Sequence, residues 1–184
     1  QLATPLPDGY RSELLPQLPY WMQAVVGGMQ RGALLFIDYG YPRREYYQPQ
    51  RGDGTLRAFH RHHVSDDVFA WPGLQDIAGA TETPFFRVDP FVDFTALAEA
   101  GQGAGFDFSG YCTQASFLIG NGLAQNLAAA EARAHDEAAR YALRQQAKQL
   151  TLPDAMGERF QAIGFQRDVE FGAAFLVGDL SWRL

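Results

Sequence analysis

The sequence has one cysteine, Cys112, and one lysine, Lys148, among 184 residues. A single cysteine excludes an intramolecular disulfide and fits a reducing compartment. No apolar run approaches the roughly 20 residues that a membrane-spanning helix needs, so we expect no membrane span. The net charge of −6 argues against a nucleic-acid-binding surface. The chain also begins without Met or the features of a signal peptide, and we expect a processed chain or a fragment of a larger protein.

The short motifs of several enzyme classes are absent as well. There is no GxSxG nucleophile elbow, no phosphate-binding P-loop and no kinase signature. The run 101–105 has the glycine spacing of half a dinucleotide fingerprint, but a predicted helix precedes it and a predicted strand follows it. Since a phosphate-binding loop needs the reverse order, we interpret this run as a helix terminus.

The most informative segment is the apolar run 33–37, which stops at Asp38, Tyr39 and Gly40. A run without polar alternation predicts a central strand, residues 32–40, buried on both faces of a parallel sheet. Ligands of such sheets bind outside the carboxyl ends of the strands, where these three residues lie. A purely structural interpretation is also open, in which Asp38 caps a turn and Gly40 supplies a positive φ.

Strands and helices alternate in the prediction, which indicates an α/β fold in a single domain. We expect an entry segment with a helix in residues 1–31, a long irregular excursion in 41–91, and helices with closing strands in 92–184. Asp93 predicts a helix N-cap, and 106–112 a strand followed by a helix from Thr113 or Gln114. The other predictions are one helix over 123–150 ended by Pro153, a short helix over 158–163, and closing strands at 173–177 and 180–184.

The excursion 41–91 concentrates aromatic, acidic and histidine residues, and an irregular stretch of this length is usually functional. Aromatic faces beside carboxylates suit a cation such as guanidinium, although the same side chains could simply pack the loop. His60, His62 and His63 suggest a metal site, but no HExxH spacing or Cys pair accompanies them. We expect no metal, and we favour a substrate-pocket role for His63, since imidazole titrates near neutral pH.

Several motifs occur in the order typical of one family, namely Asp38-Tyr-Gly-Tyr41, Glu45-Tyr46-Tyr47, Arg51-Gly-Asp-Gly-Thr55, the His62-His63 region, Gln75-Asp76-Ile77 and Val92-Asp93-Phe94. On these residues the chain resembles the MidA-type family, whose mitochondrial members are arginine methyltransferases that assist assembly of respiratory complex I. The resemblance covers residues 9–184. It implies a partial class I methyltransferase (Rossmann-like) fold and S-adenosyl-L-methionine as cofactor.

The resemblance covers only the C-terminal half of the family's domain. The family's Gly-rich cofactor loop would lie upstream, so the cofactor-binding residues are expected outside this chain, and the chain alone is expected to be inactive. A second departure is the segment 78–90, which separates the motif at 75–77 from Val92, with Ala78 in place of the family's Thr.

The candidate site follows from the residues and the resemblance together. Catalytic roles are predicted for Asp38, Tyr39, His63 and Asp76, and substrate-binding roles for Gly40, Tyr41, Glu45, Tyr46, Arg51 and Gln75. Carboxylates would hold a guanidine nucleophile and favour loss of its proton. The predicted function is methylation of an arginine in a partner protein. The alternatives are a non-catalytic binding or assembly module and a His/Asp metal hydrolase.

Two further expectations concern the setting of the protein. A bacterial chain of this kind is expected in the cytoplasm, and a eukaryotic one in mitochondria. An exposed edge of the cut sheet predicts self-association of the isolated chain.

Overall fold

The computed structural model describes residues 5–55, 57–60, 63–65, 87–89 and 91–184. Two compact units make up the chain, a smaller one of Gln1–Leu15 and Arg44–Phe91 and a larger one of Pro16–Arg43 and Val92–Leu184. The organisation as a single domain stays a prediction. In chain order the elements are α1 (Leu18–Val26), β1 (Gly32–Tyr41), α2 (Arg43–Tyr46), β2 (Arg57–His60), β3 (His63–Ser65), β4 (Arg87–Asp89), β5 (Val92–Asp93), α3 (Phe94–Gly103), β6 (Asp107–Thr113), α4 (Gln114–Gly120), α5 (Leu123–Arg133), α6 (Glu137–Thr151) and β7 (Phe160–Arg167).

A four-stranded sheet with the order β5-β1-β7-β6 forms the centre of the larger unit. Strand β7 is antiparallel to both β1 and β6, so β1 and β6 run in the same direction. Strand β5 is short and pairs in parallel with the last two residues of β1, Gly40 with Val92 and Tyr41 with Asp93. The carboxyl ends of β1 and β6 therefore lie at the same edge of the sheet.

The interpretation of β1 as a parallel strand buried on both faces is wrong. Its long partner, β7, is antiparallel, and the burial of its side chains alternates. Leu34 and Phe36 pack against the core, whereas Leu35 and Ile37 on the other face are 40% and 39% exposed. The other edge of β1 has a strand partner only at Gly40 and Tyr41 among the described residues. An apolar run records that both faces can be covered, but it does not record strand direction.

The main core of the larger unit lies between one face of the sheet and helices α1 and α3. Its buried residues are Met22, Val26, Phe94, Leu97, Ala98, Ala100, Phe106, Tyr111, Ile163 and Phe165. A smaller cluster of Cys112, Ala162 and Phe175 covers part of the opposite face. The sheet thus has apolar packing over one face and over the β6–β7 part of the other, as in an α/β layer fold.

Several local predictions are confirmed. Asp93 caps α3, since its Oδ1 accepts a hydrogen bond from the Ala96 amide at 3.0 Å. Thr113 caps α4 by accepting from the Ser116 amide at 3.2 Å. The glycine run 101–105 ends α3 and precedes β6, with Gly105 in the left-handed region at φ +83°. Each of these features depends on residues a few positions apart, so the sequence is sufficient to predict it.

The short helix predicted for residues 158–163 is wrong, because this segment begins strand β7. Ile163 and Phe165 point to the main core, and they alternate with the small residues Ala162 and Gly164. The Phe175 ring packs where Gly164 lacks a side chain, so a Cβ there would collide with it. Pairing with β1 and β6 therefore decides the conformation of this segment.

Two other predictions for the C-terminal part are also wrong. The helix predicted over 123–150 is interrupted between Arg133 and Glu137, where Asp136 caps α6 by accepting from the Ala139 amide at 2.7 Å. The closing strands predicted at 173–177 and 180–184 are the 3₁₀-helices Gly172–Phe175 and Ser181–Arg183. Packing of Phe175 beside the sheet holds the first of them in place.

The smaller unit contains a three-stranded antiparallel sheet with the order β3-β2-β4. All three strands lie within or at the edges of the segment 41–91, which the sequence predicts to be irregular. An isolated bridge joins Arg11 of the entry segment to Asp53. His60 and His63 are cross-strand partners in β2 and β3. The two histidines therefore lie on neighbouring strands.

Candidate active site

The end of β1, residues 38–41, carries four of the predicted site residues on consecutive positions. Asp38 is exposed, and its Oδ1 accepts a hydrogen bond from the Tyr39 amide at 2.7 Å. The Tyr39 ring packs against the Phe160 ring, with 3.9 Å between the ring centroids. Since β1 continues to Tyr41, no turn begins at Asp38, and the turn-cap interpretation of this residue is wrong.

Gly40 is required because two segments of the backbone approach each other closely at the end of β1. It is buried and pairs with Val92, and a Cβ on it would collide with the Val92 carbonyl and the Phe94 ring. Gly40 is absent from the glycines with positive φ, so the interpretation that it supplies a left-handed turn is wrong. Its small size lets β5 and α3 lie directly against the end of β1.

Arg43, two residues beyond β1, fixes this strand end to α3. Its Nη1 and Nη2 donate to the two carboxylate oxygens of Glu99 at 2.7 and 2.6 Å. Its Nε lies 3.4 Å from an oxygen of Asp93, and its amide donates to the Thr95 hydroxyl at 2.9 Å. We call the contacts of Arg43 with Glu99, Asp93 and Thr95 the Arg43 clamp. The sequence does not reveal it, because Arg43 and Glu99 are 56 residues apart.

The clamp changes the titration of both partners. The hydrogen bond from Arg43 lowers the pKa of the Glu99 carboxyl, and the same bond raises the pKa of the Arg43 guanidinium. Glu99 is therefore charged at neutral pH. Because the Arg43 charge is matched by these carboxylates, the clamp is structural rather than a site for an anionic ligand.

In the smaller unit, the Glu13 carboxylate gathers the hydrogen bonds. It accepts from the Thr55 amide at 2.9 Å, from the Thr55 hydroxyl at 2.8 Å and from the Tyr46 hydroxyl at 3.4 Å. Thr55 and Tyr46 are 2% and 3% exposed. Tyr46, a predicted substrate-binding residue, is therefore buried and bonded inside its own unit.

Glu45 and Arg51 are also joined to each other. Nη1 of Arg51 donates to the backbone carbonyl of Glu45 and, at 3.3 Å, to the side-chain oxygen of Gln48. The Tyr10 hydroxyl donates to the Gln48 carbonyl at 3.0 Å, and burial raises the pKa of this phenol. These contacts hold the turn after α2, and the substrate-binding roles of Glu45 and Arg51 stay predictions.

The remaining predicted site residues are described in part or not at all. His63 opens β3, and its backbone is paired with that of His60. Gln75 and Asp76 lie outside the described residues. The structure therefore brings together Asp38, Tyr39, Gly40 and Tyr41 in one unit, and Glu45, Tyr46 and Arg51 in the other.

Neither a metal site nor a cysteine nucleophile is supported by the part of the chain that the structure describes. No group of three or more His, Cys, Asp or Glu side chains is placed to hold a metal ion there. Cys112 is fully buried, and burial, with a smaller contribution from Asp179, raises the pKa of its thiol to about 12. A thiol of that pKa is a poor nucleophile at neutral pH.

The sequence matches the model of a family described as Putative S-adenosyl-L-methionine-dependent methyltransferase over residues 1–112, more than half of the chain. The chain belongs to this methyltransferase family. S-adenosyl-L-methionine, the cofactor expected from the sequence, is thus confirmed for the family. No curated protein matches the chain.

Two crystal structures of superfamily members from Burkholderia thailandensis share the fold. One is the native structure of an uncharacterized protein, with a TM-score of 0.81 and 34% identity over 97% of this chain and 45% of that chain. The other, bound to S-adenosyl-homocysteine, has a TM-score of 0.80 and 34% identity over 97% of this chain and 43% of that chain. The methyltransferase-like α/β fold is therefore confirmed, and the chain spans less than half the length of either structure.

The glycine run 101–105 lacks the arrangement that would seat the family's cofactor, S-adenosyl-L-methionine. A Gly-rich turn between a strand and a following helix would seat such a cofactor, but the glycine run 101–105 follows a helix and precedes a strand. This glycine run therefore does not form the Gly-rich turn that would seat the cofactor. Among the residues that the structure describes, no helix is long and apolar enough to cross a membrane.

Proposed function

We propose that this chain supplies the substrate side of an S-adenosyl-L-methionine-dependent protein methyltransferase, which methylates an arginine of a partner protein. The observation that carries the proposal is the exposed carboxylate of Asp38 at the end of β1, in a chain that belongs to a methyltransferase family. Ligands of α/β sheets bind at such strand ends. The similarity to the MidA-type family suggests arginine as the acceptor and a component of respiratory complex I as the partner in mitochondrial relatives.

Asp38 suits a cationic acceptor for electrostatic reasons. A carboxylate forms short, charge-assisted hydrogen bonds to guanidinium, and two oxygens can engage two N–H groups at once. The bound cofactor supplies the methyl group, and the role of this chain is to hold and orient the accepting nitrogen. Orientation of a nucleophile is worth several kcal/mol of a reaction barrier, so a fixed carboxylate at the strand end is sufficient for a large rate effect.

The second candidate function is a non-catalytic protein-binding or assembly module. It is favoured by one observation, the glycine run 101–105, which follows a helix and precedes a strand and so does not form a cofactor-binding turn. Under this alternative the exposed Asp38 binds a cationic side chain of the partner without chemistry. A cytoplasmic location is part of both proposals, and self-association through an exposed edge of the sheet stays a prediction.

Calorimetric titration with S-adenosyl-homocysteine tests whether the cofactor site lies in this chain or outside it. We expect no saturable binding to the 184-residue chain alone. We expect micromolar binding to a chimera in which this chain replaces the region that it matches in the Burkholderia thailandensis protein bound to S-adenosyl-homocysteine. Micromolar binding to the isolated chain would contradict the assignment of the chain to the substrate side.

The chimera then tests the reaction itself. We expect transfer of a labelled methyl group from S-adenosyl-L-methionine to arginine, detected as methylarginine after hydrolysis of labelled protein or peptide. A chimera that binds S-adenosyl-homocysteine but transfers no methyl group to any residue would contradict the proposed reaction and leave the non-catalytic module. Label on another residue type would keep the methyltransferase and replace the substrate.

A further inference from the structure

A row of three polar residues crosses the sheet at the carboxyl ends of β1 and β6. Gln161 of β7 is paired with Asp38 of β1 on one side and with Thr113 of β6 on the other. Directly opposite residues of antiparallel strands project from the same face, with Cβ atoms about 4.5–5.5 Å apart. The next pair on this face, Phe36 with Ile163, belongs to the core. The row therefore lies where the apolar core gives way to the strand ends.

The side-chain oxygen of Gln161 accepts no hydrogen bond from the described part of the chain. The residue is 8% exposed, and its Nε2 donates to the Glu158 carbonyl at 2.8 Å. Its Oε1 is buried and has no hydrogen-bond partner among the described residues. A buried acceptor without a partner costs about 1–3 kcal/mol, and an apolar side chain at this position would avoid that cost.

The other members of the row define which ligand fits. The Thr113 hydroxyl is occupied, since it accepts from the Ser116 amide and donates to the Ser116 hydroxyl at 3.0 Å. The remaining groups are the amide oxygen of Gln161 and the carboxylate of Asp38, which accept and do not donate. Two adjacent acceptors, one of them charged, match a cation with several N–H donors, of which guanidinium is the planar example.

We propose that Gln161 is a specificity-determining residue, which forms with Asp38 a paired acceptor for the guanidinium group of the substrate. This inference rests on the proposed function and extends it to a residue of β7. The Asp38 carboxylate supplies the charge of the pair, and Gln161 supplies a fixed neutral acceptor whose direction is set by its bond to the Glu158 carbonyl. A neutral urea group of the same shape, as in citrulline, lacks the charge that Asp38 would select.

The test is an NMR titration of the 184-residue chain with N-acetyl-L-arginine methylamide, with the citrulline analogue as the neutral control ligand. Gln161→Met removes the acceptor at similar volume, and we expect binding at least about 5-fold weaker, a change of about 1 kcal/mol. Gln161→Glu adds a second carboxylate, and we expect binding about 5-fold tighter. Gln145→Glu makes the same substitution on the exposed surface of α6 and should leave binding unchanged.

The opposite signs of the two variants separate binding from folding. Both substitutions remove the donor to the Glu158 carbonyl, so a merely structural Gln161 would shift both in the same direction or neither. Parallel effects in variants with wild-type amide spectra would overturn the proposal, as would equal binding of the citrulline analogue or no binding to the wild type. If Gln161→Met does not fold, the titration of Gln161→Glu with both ligands still tests the proposal, because only the paired acceptor predicts tighter binding of the arginine ligand.

The same variants in the chimera distinguish this inference from the proposed function. Arginine methylation with an unchanged kcat/KM in Gln161→Met overturns the role of Gln161 and leaves the methyltransferase. Binding of the arginine ligand that depends on Gln161, without any methyl transfer, supports the paired acceptor and overturns the proposed reaction.

Discussion

Two carboxylates, Glu13 in the smaller unit and Asp38 in the larger one, differ in what surrounds them. Glu13 accepts hydrogen bonds from two groups of Thr55 and from the Tyr46 hydroxyl. Asp38 is exposed, and its hydrogen bond within the described residues comes from the neighbouring Tyr39 amide. The first carboxylate is used to hold a loop, whereas the second is available to a ligand. Residue type alone does not separate the two roles.

The same contrast applies to the basic and aromatic residues that sequence patterns assign to substrate binding. Tyr46 is buried against Glu13, and Arg51 is bonded to the Glu45 carbonyl and to Gln48. In the larger unit, Arg43 is bonded to Glu99 and Asp93. Side chains suited to ligands are equally suited to holding irregular segments, and only their partners show which use applies.

Removal of the Glu13 carboxylate should have the largest effect on stability. Glu13→Ala leaves the amide and hydroxyl of the buried Thr55 without their acceptor, and we expect a loss of about 3 kcal/mol in the smaller unit. Glu13→Gln retains one acceptor oxygen and should lose about half of that. The measurement is hydrogen exchange of the Thr55 amide, and unchanged protection in Glu13→Ala would show that Glu13 does not organise this loop.

A methyl group on Gly40 should come next. Gly40→Ala places a Cβ against the Val92 carbonyl and the Phe94 ring, so β5 or α3 must shift, and we expect destabilisation of about 2 kcal/mol in urea unfolding. Gly28→Ala is the matched control, because a Cβ there meets nothing within 4 Å. Equal stability of the two variants would contradict the close approach at the end of β1.

The Arg43 clamp should contribute less and should depend on pH. Arg43→Lys loses the bidentate contact with Glu99, and we expect a loss of about 1 kcal/mol at pH 7, since Glu99 is partly exposed. The lowered pKa of Glu99 means that this contribution is present above the ordinary Glu pKa of 4.5 and is lost as the pH falls through the lower value in the folded protein.

Urea unfolding of wild type and Arg43→Lys across this pH range checks the sign. The two should differ at pH 7 and converge as the pH falls below 4.5. A constant difference across the range would show that Glu99 is not the partner that matters.

The sequence predicts those features of the fold that depend on neighbouring residues. The caps at Asp93 and Thr113 and the end of α3 at the glycine run are of this kind. Residues 160–163 of β7 fall in a predicted helix because they suit either state, and their conformation depends on pairing with β1 and β6, which lie far away in the chain.

The candidate site shows the same division. Asp38 and Tyr39 are evident from the sequence because they follow an apolar strand directly. Gln161 is not evident from the sequence, since it lies beside Asp38 only through antiparallel pairing of strands, and position 161 is 123 residues after position 38. The Arg43–Glu99 contact likewise joins residues whose sequence neighbourhoods give no sign of each other.

The most direct test of this account is the Asp38→Asn variant of the chimera, assayed for methyl transfer to arginine and for binding of S-adenosyl-homocysteine. Asp38 is exposed, so the free energy of unfolding should change by less than about 0.5 kcal/mol. We expect unchanged binding of S-adenosyl-homocysteine and a fall of about 100-fold in kcat/KM, because the substituted amide cannot supply the negative charge that holds a guanidinium. Unchanged turnover would contradict the account, since it would remove Asp38 from the substrate side of the reaction.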